Sequence, residues 1–571
     1  MEKLSLREIA AQLGCPQPPE GEITRVITDS REAGPGTLFV ALPGERVDGH
    51  DYINRALAAG AEAAVAEHDG DYTPAEKVLR VKSSLRALLE ISALYRAKMP
   101  AKVIGITGSV GKTTTKEMVA AVMASSFRII KTEGNQNNEI GAPKTLMSIT
   151  PETEVAVVEM GMSAPNEIKD LCYAAKPMMG IITNIGVSHI EHLGSRENIL
   201  KAKLELADAL PDGATLLLCD DNDLLQTVDI PRLHVVRYGL NSPRAEIKAT
   251  IVSATPLSTN FMLHAEGQSW RATIPGTGEH LVLNALAAFG AGRAMGIPAE
   301  TAIEALKNYT PSGQRQKVVE HEGITMVEDC YNASPDSMRA AIKTLGRFPC
   351  DGRRIFVAAD MLELGDIAEE SHREIGALCA QEGIDLLLTW GPLAQYATRA
   401  AKAAGMEAHH FEEKEALTKY LTATAHRGDV IWCKASHGMA LEEVIAAFYR
   451  DYHNITEQKR EVHHEYYRCH RGRTAGQCYY RCGGLLAVAH AAPSAFWADY
   501  LRDRPQVAPG QAGYPHHGRP YVYHRHSHCG GGSLSVHACL YRGRSNVGNY
   551  AGPYVLWPGA GAAIRGHRLP R

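Results

Sequence analysis

The stretch Val103-Ile104-Gly105-Ile106-Thr107-Gly108-Ser109-Val110-Gly111-Lys112-Thr113-Thr114-Thr115 admits few folds. A short apolar run opens into glycines, then a lysine and hydroxyls, and Lys116 to Ala124 continues as a helix, so the segment reads as strand, loop and helix N-terminus. Gly108 and Gly111 let backbone N–H groups approach an anion, Lys112 adds a mobile positive charge, and the Thr113 hydroxyl, with Thr114 beside it, can hold Mg²⁺. The general phosphate-loop spacing puts a glycine where Ile106 stands, so this is a shorter form, Thr-Gly-x-x-Gly-Lys-Thr-Thr. A glycine-rich turn without a ligand is the alternative, and the ordered combination of strand, glycines, Lys and Thr weighs against it.

A chain of 571 residues holds about three or four domains. Its formal net charge of -4 and charged fraction of 22% give neither a nucleic-acid field nor a membrane-binding surface, so the expected partners are small molecules. There is no signal pattern and no apolar run near the ~20 residues that span a bilayer, which predicts a cytoplasmic protein without membrane insertion. Seven of the 12 cysteines (Cys15, Cys172, Cys219, Cys330, Cys350, Cys379 and Cys433) precede residue 459 without metal-knuckle pairing and read as reduced core thiols.

Ahead of the loop, Thr28-Asp29-Ser30-Arg31, Gly36 to Leu42 and Gly44 to His50 form strand-turn units of the kind that bind phosphate or sugar, or that are simply solvated. Leu85 to Met99 reads as an amphipathic helix ended by Pro100. Behind the loop, Lys131 to Pro143 is rich in amides (Asn135, Asn137, Asn138) and fits either a sugar-peptide contact or a plain turn. Val155 to Gly161 is a buried-type strand that delivers Glu159 at its C-terminal end, where ligands sit in open α/β sheets. A second such strand, Met179 to Ile185, leads to His189, a ligand candidate or a surface histidine. The helix Arg196 to Ala209 carries Lys201 and Lys203. Residues 246 to 275 alternate like strands, and Asn284 lies near the start of an alanine-rich helix. The strand Thr325 to Tyr331 empties into a polar loop, and the runs Arg354 to Ala359, Leu386 to Trp390 and Val430 to Lys434 alternate with helices, predicting a doubly wound α/β domain.

These motifs together resemble the Mur ligase family, enzymes that join amino acids to a UDP-linked muramic acid. The short ATP loop is similar, and so are Asp-Ser-Arg with Leu-Phe-Val-Ala-Leu-x-Gly and Asp-Gly-His, Asn-x-Asn-Asn, Glu-x-Gly at 159, and Asn-Ile-Gly-x-x-His-x-x-x-x-Gly ending at 194. The resemblance implies a three-domain α/β architecture: a UDP-substrate domain over 1–98, a central ATP domain over 99–313 and a C-terminal Rossmann-like domain over 314–455. It implies that Ser30 and Arg31 contact the nucleotide sugar and that Asn135, Asn137 and Asn138 contact the muramoyl peptide. Asn284, Arg315, Asp329, Tyr331 and Asn332 would lie on the nucleotide. Thr113, Glu159, His189 and a carbamylated Lys203 would hold Mg²⁺; Ala207 stands where the family has an aromatic residue, which leaves Lys201 open. Asp329-x-Tyr331-Asn332-Ala333-x-Pro335-Asp336-Ser337 and Asp360-Met361-Leu362-Glu363-Leu364-Gly365 resemble the member that adds D-alanyl-D-alanine, although Ala435 and His437 replace the Gly and Arg of many members. The implied activity is ATP-dependent ligation of D-alanyl-D-alanine to UDP-N-acetylmuramoyl-tripeptide through an acyl phosphate, by a monomer. The alternatives are a family member adding a diaminoacid or glutamate, against which the absence of Asp-Asn-Pro-Arg counts, and a P-loop regulatory NTPase.

The resemblance ends near residue 455. From Glu461 onward there is no lysine, while His, Arg, Gly, Tyr and Cys crowd together without period. Residues 456–571 are expected to be disordered, the translation of a shifted reading frame, and dispensable for ligation; an appended metal-binding or interaction tail is the alternative.

Overall fold

The computed structural model describes residues 1–470 except 18, 45 and 312–314, with side chains as far as 457 (455 apart); beyond 470 it describes only the backbone of 479–482, 485–488, 527–529 and 532–534. Met1–Ala489 forms one compact unit. In it, the pair 479–482 and 485–488 is an antiparallel ladder. Within His490–Arg571, residues 527–529 pair antiparallel with 532–534. Apart from these ladders and a helix that runs Glu442–His470, past the boundary expected at 455, the tail expectation lies outside the described residues.

The chain begins with a small ladder, β1 (Leu4–Ser5) against β2 (Glu22–Ile23), and a four-stranded parallel sheet of β3 (Arg25–Ile27), β4 (Thr37–Val40), β5 (Ala63–Ala66) and β6 (Val78–Arg80) in sequence order. The helix Ser84–Ala97 follows, capped by Ser83, whose Oγ accepts from Arg86 N at 3.2 Å, and it stops short of Pro100.

Nine strands make the central sheet: β7 (Lys102–Thr107), β8 (Ile129–Lys131), β9 (Val155–Glu159), β10 (Met179–Ile182), β11 (Thr215–Cys219), β12 (His234–Gly239), β13 (Ile247–Ala254), β14 (Ser258–Ala265) and β15 (Gln268–Pro275), in the order β15-β14-β13-β12-β11-β10-β7-β9-β8. β7 lies parallel between β9 and β10. Buried on both faces, these strands are nearly continuous apolar runs. Only β13 to β15 pair antiparallel, and their alternating residues mark a sheet with one wet face.

A third sheet comprises β16 (Lys317–His321), β17 (Ile324–Asp329), β18 (Arg354–Ala359), β19 (Leu386–Trp390), β20 (Glu407–Phe411) and β21 (Val430–Lys434), in the order β16-β17-β21-β18-β19-β20, parallel except for the edge strand β16. One continuous apolar core runs from Leu4 to Tyr309 and joins the first two sheets, whereas the third sheet has its own cores on either face. Of the seven cysteines before residue 459, all unpaired, five are buried; Cys15 and Cys350 are only half-buried, each lying in a loop with its thiol turned to a backbone carbonyl, so the core-thiol expectation is corrected for these two.

Candidate active site

Parallel strands of the central sheet end together, so Thr107, Glu159 and the loop after β10 reach one edge. The phosphate loop is pinned there. Ser109 N donates to Asn184 O (3.1 Å) and Val110 N to Asn184 Oδ1 (2.8 Å); Thr183 Oγ1 donates to Val110 O (2.6 Å) and Gly186 N to Ser109 Oγ (2.9 Å). Gly108 has φ 152° and a Cβ there would lie 1.9 Å from Thr183 Oγ1, so only glycine fits. Gly111, at φ 84°, turns the chain into the helix Lys112–Ala124.

Lys112 curls over this loop and donates to Gly108 O at 2.8 Å. Part of the side chain remains accessible, yet the surrounding protein pushes its pKa down, with Glu159 opposing and Arg315 reinforcing the shift. Glu159 is buried. Its Oε1 accepts from Thr113 Oγ1 (3.0 Å) and Asn137 Nδ2 (2.8 Å), while Oε2 has no hydrogen-bond partner. His189 sits in the left-handed region (φ 63°) with Nδ1 2.6 Å from Glu363 Oε2 of the third sheet's loop; burial lowers its pKa against the pull of Glu363. A buried carboxylate, a hydroxyl and an imidazole at one strand edge offer ligands to a divalent cation that keeps its remaining water ligands.

Lys203 is 2% exposed and its ammonium has no hydrogen bond or ion pair among the described residues. Burial, and then Lys112, drive its pKa far below that of an ordinary lysine. Lys201 is exposed on the other side of the same helix.

A cavity of about 680 Å³ opens over the loop. Its walls include Gly111, Lys112, Thr113, Thr114, Asn137, Asn138, Glu159, His189 and Asn284 from the central sheet and Arg315, Asp329, Tyr331 and Asn332 from the third. Asn284 Oδ1 accepts from Thr115 Oγ1 (3.1 Å) and lies against Gly111. Arg315 stacks on the Tyr331 ring, 3.6 Å from its centroid, and Asp329 Oδ2 accepts from Lys434 Nζ at 2.9 Å. Gly108 and Lys203 lie behind the wall rather than on it. Asn135 is exposed outside it. Ser30 and Arg31 are also elsewhere, in the short helical turn between β3 and β4, where Arg31 Nε donates to Asp29 Oδ1 at 2.9 Å. On that sheet Asp48, His50 and His68 cluster, but His50 Nε2 accepts from Glu67 N (3.1 Å), which leaves Nδ1 to carry its proton to Asp48 and makes the group a clasp rather than a metal site.

Several site residues are not among the site candidates singled out from the sequence. Asn184 acts through both its backbone and its amide. Tyr309, its hydroxyl bonded to Thr114, has its pKa pushed up to about 12 by burial. His280 Nε2 accepts from Gln316 Nε2 at 2.7 Å across the junction of the two sheets.

The fold and site define a class: an α/β protein whose phosphate loop, backed by a strand-end carboxylate, faces a second α/β sheet across a cavity. Comparison with known proteins narrows it. The Mur ligase middle domain matches residues 106–292, the Mur ligase glutamate ligase domain residues 314–437, and the Mur ligase family catalytic domain residues 22–99. The UDP-N-acetylmuramoyl-tripeptide--D-alanyl-D-alanine ligase of Bacillus subtilis (strain 168) is 37% identical over 441 residues, covering 76% of this chain and 95% of that protein. The enzyme of the same name from Escherichia coli (strain K12) is 35% identical over 428 residues, covering 74% and 93%. Among solved structures, MurF from Acinetobacter baumannii superposes with a TM-score of 0.71 at 28% identity, covering 79% of this chain and 99% of its own. The MurF ligase from Thermotoga maritima in complex with ADP gives 0.69 at 28% identity, covering 75% and 98%. The chain belongs to the Mur ligase family. Among its described residues no helix is long and apolar enough to cross a membrane.

Proposed function

We propose that the protein joins D-alanyl-D-alanine to UDP-N-acetylmuramoyl-tripeptide with conversion of ATP to ADP and phosphate, the last cytoplasmic peptide-adding step in peptidoglycan precursor synthesis, acting as a monomer. The observation that carries this is the convergence, around one cavity, of the phosphate loop, the buried strand-end carboxylate of Glu159 and the polar strand ends of the third sheet. The names and full-length similarity of the relatives supply the substrates.

In this reading the peptide's terminal carboxylate attacks the γ-phosphorus, ADP leaves, and an acyl phosphate forms. The dipeptide amine then attacks the acyl carbon, phosphate departs and the nitrogen loses a proton. Lys112 and the loop N–H groups bind the phosphates and offset the charge gathering on the phosphoryl oxygens. Thr113, Glu159, His189 and a carbamylated Lys203 would hold Mg²⁺, which supplies further charge neutralisation. Lys203 suits carbamylation because burial favours the neutral amine, the form that adds to carbon dioxide with release of one proton. Asn284, Arg315, Asp329, Tyr331 and Asn332 orient the nucleotide. Ser30 and Arg31 in the 1–98 domain hold the uridine-diphosphate end, while Asn135, Asn137 and Asn138 of the 99–313 domain direct the peptide end. The 314–455 domain closes over them and shuts out water that would hydrolyse the acyl phosphate.

The test is phosphate release measured with ATP, the muramoyl tripeptide and the dipeptide together and with each omitted. Release only when all three are present is expected. Nucleotide hydrolysis indifferent to the peptides would instead make the protein a regulatory NTPase, and activity with a diaminoacid or glutamate in place of the dipeptide would make it another ligase of the family.

A further inference from the structure

The phosphate-loop helix carries a second lysine that nucleotide binding leaves unused. Lys116 is 0% exposed. Its ammonium donates to Thr132 O at 2.7 Å and Gly134 O at 3.1 Å, lies 3.1 Å from Glu117 Oε1 and stands 3.7 Å from Glu159 Oε2. Thr132 closes a circuit, since its Oγ1 accepts the backbone N–H of Glu159 at 3.0 Å. A few residues on, Asn137 Nδ2 reaches the same Glu159 oxygen that takes the Thr113 hydroxyl.

A buried ammonium among carboxylates is a poor way to add stability, because an apolar side chain of similar volume commonly does as well or better. What it supplies is geometry. Two donors on one nitrogen fix two carbonyls of the turn after β8 while its charge pairs with one carboxylate of the helix, so the amide-rich loop is fastened to the helix that begins at the phosphate loop. Without the ammonium, Thr132 O becomes a buried acceptor with no donor, and the turn that presents Asn137 to Glu159 loses its anchor.

We propose that Lys116 is a positioning residue that couples the amide-rich loop to the phosphate loop, so that ordering one loop by its ligand lowers the cost of ordering the other. The proposal rests on the ligase reading, in which the first loop meets the muramoyl peptide and the second the nucleotide.

The test uses the full chain with Lys116→Met, Asn137→Ala, both together, and Thr132→Val. Affinity for ADP is read by calorimetry with and without the muramoyl tripeptide, beside KM and kcat for ligation. In the wild type the tripeptide should tighten ADP binding. Lys116→Met should bind ADP alone within about threefold of wild type, lose most of that tightening and raise KM for the tripeptide about tenfold. Adding Asn137→Ala to Lys116→Met should cost less than about twofold more, since both act through one loop. A wild type whose ADP affinity ignores the tripeptide, full tightening retained in Lys116→Met, or effects that multiply in the double variant would each overturn the coupling. If Lys116→Met does not fold, Thr132→Val decides: loss of tightening supports the circuit and unchanged tightening overturns it. Failure of the ligase reading is separate, because it appears as a wild type that releases no phosphate with all three reactants.

Discussion

Two lysines divide the labour at the residue scale. Lys112 keeps access to the cavity and bends onto its own loop, so its charge is available to an incoming phosphate. Lys203 is buried, with no hydrogen bond or ion pair among the described residues. Lys112→Ala is expected to lower phosphate release on the order of 10²-fold or more with an unchanged circular dichroism spectrum, since a charge-stabilising group is lost and no core is disturbed. Lys203→Ala should lose ligation that added short carboxylic acids partly restore. ¹³C-labelled bicarbonate should give a carbamate resonance in the wild type that is missing from the variant. Lys201→Ala should retain near-wild-type ligation, and loss there with full activity in Lys203→Ala would mean that the other lysine carries the group. The two lysines stand two positions apart, which on a helix means opposite faces, so a period count alone separates them once the buried face is known.

At the scale of elements, the phosphate loop was legible because its chemistry needs contiguous residues, and Glu159 because an apolar strand must end where its carboxylate begins. Asn184 was not. It meets Val110 across 74 residues of sequence, and nothing local in Thr183-Asn184-Ile185 says which loop its amide will face. The same holds for Lys116 against Thr132, and for His372, whose Nε2 accepts the Met361 N–H at 3.0 Å and so steadies the loop that carries Glu363 to His189. Contacts of this kind are set by strand order, and strand order is not written in any one segment. Asn184→Ala should raise KM for ATP about fivefold while lowering kcat less, because the loss of this hydrogen bond, typically ~1 kcal/mol, loosens the loop before the nucleotide binds. Equal loss in both constants would place the amide in the chemical step.

At the scale of the whole molecule, the first two sheets share one core and the third meets them mainly through the walls of the cavity. Gly186 marks one tight point. A Cβ on it would lie 2.0 Å from Asp336 Oδ2 of the third sheet's first helix. Gly186→Val should therefore hold the sheets apart, leaving ADP affinity within about threefold while ligation falls at least about tenfold, in a protein that still unfolds cooperatively. Equal loss of ADP binding would show that the substitution disturbs the loop beneath. The same narrow point has a pharmacological consequence. A compound lodged beside Gly186 would act as a doorstop: it need resemble none of the three reactants, raising the concentration of any one of them would not displace it, and its potency would follow how long the jaws stay open between turnovers.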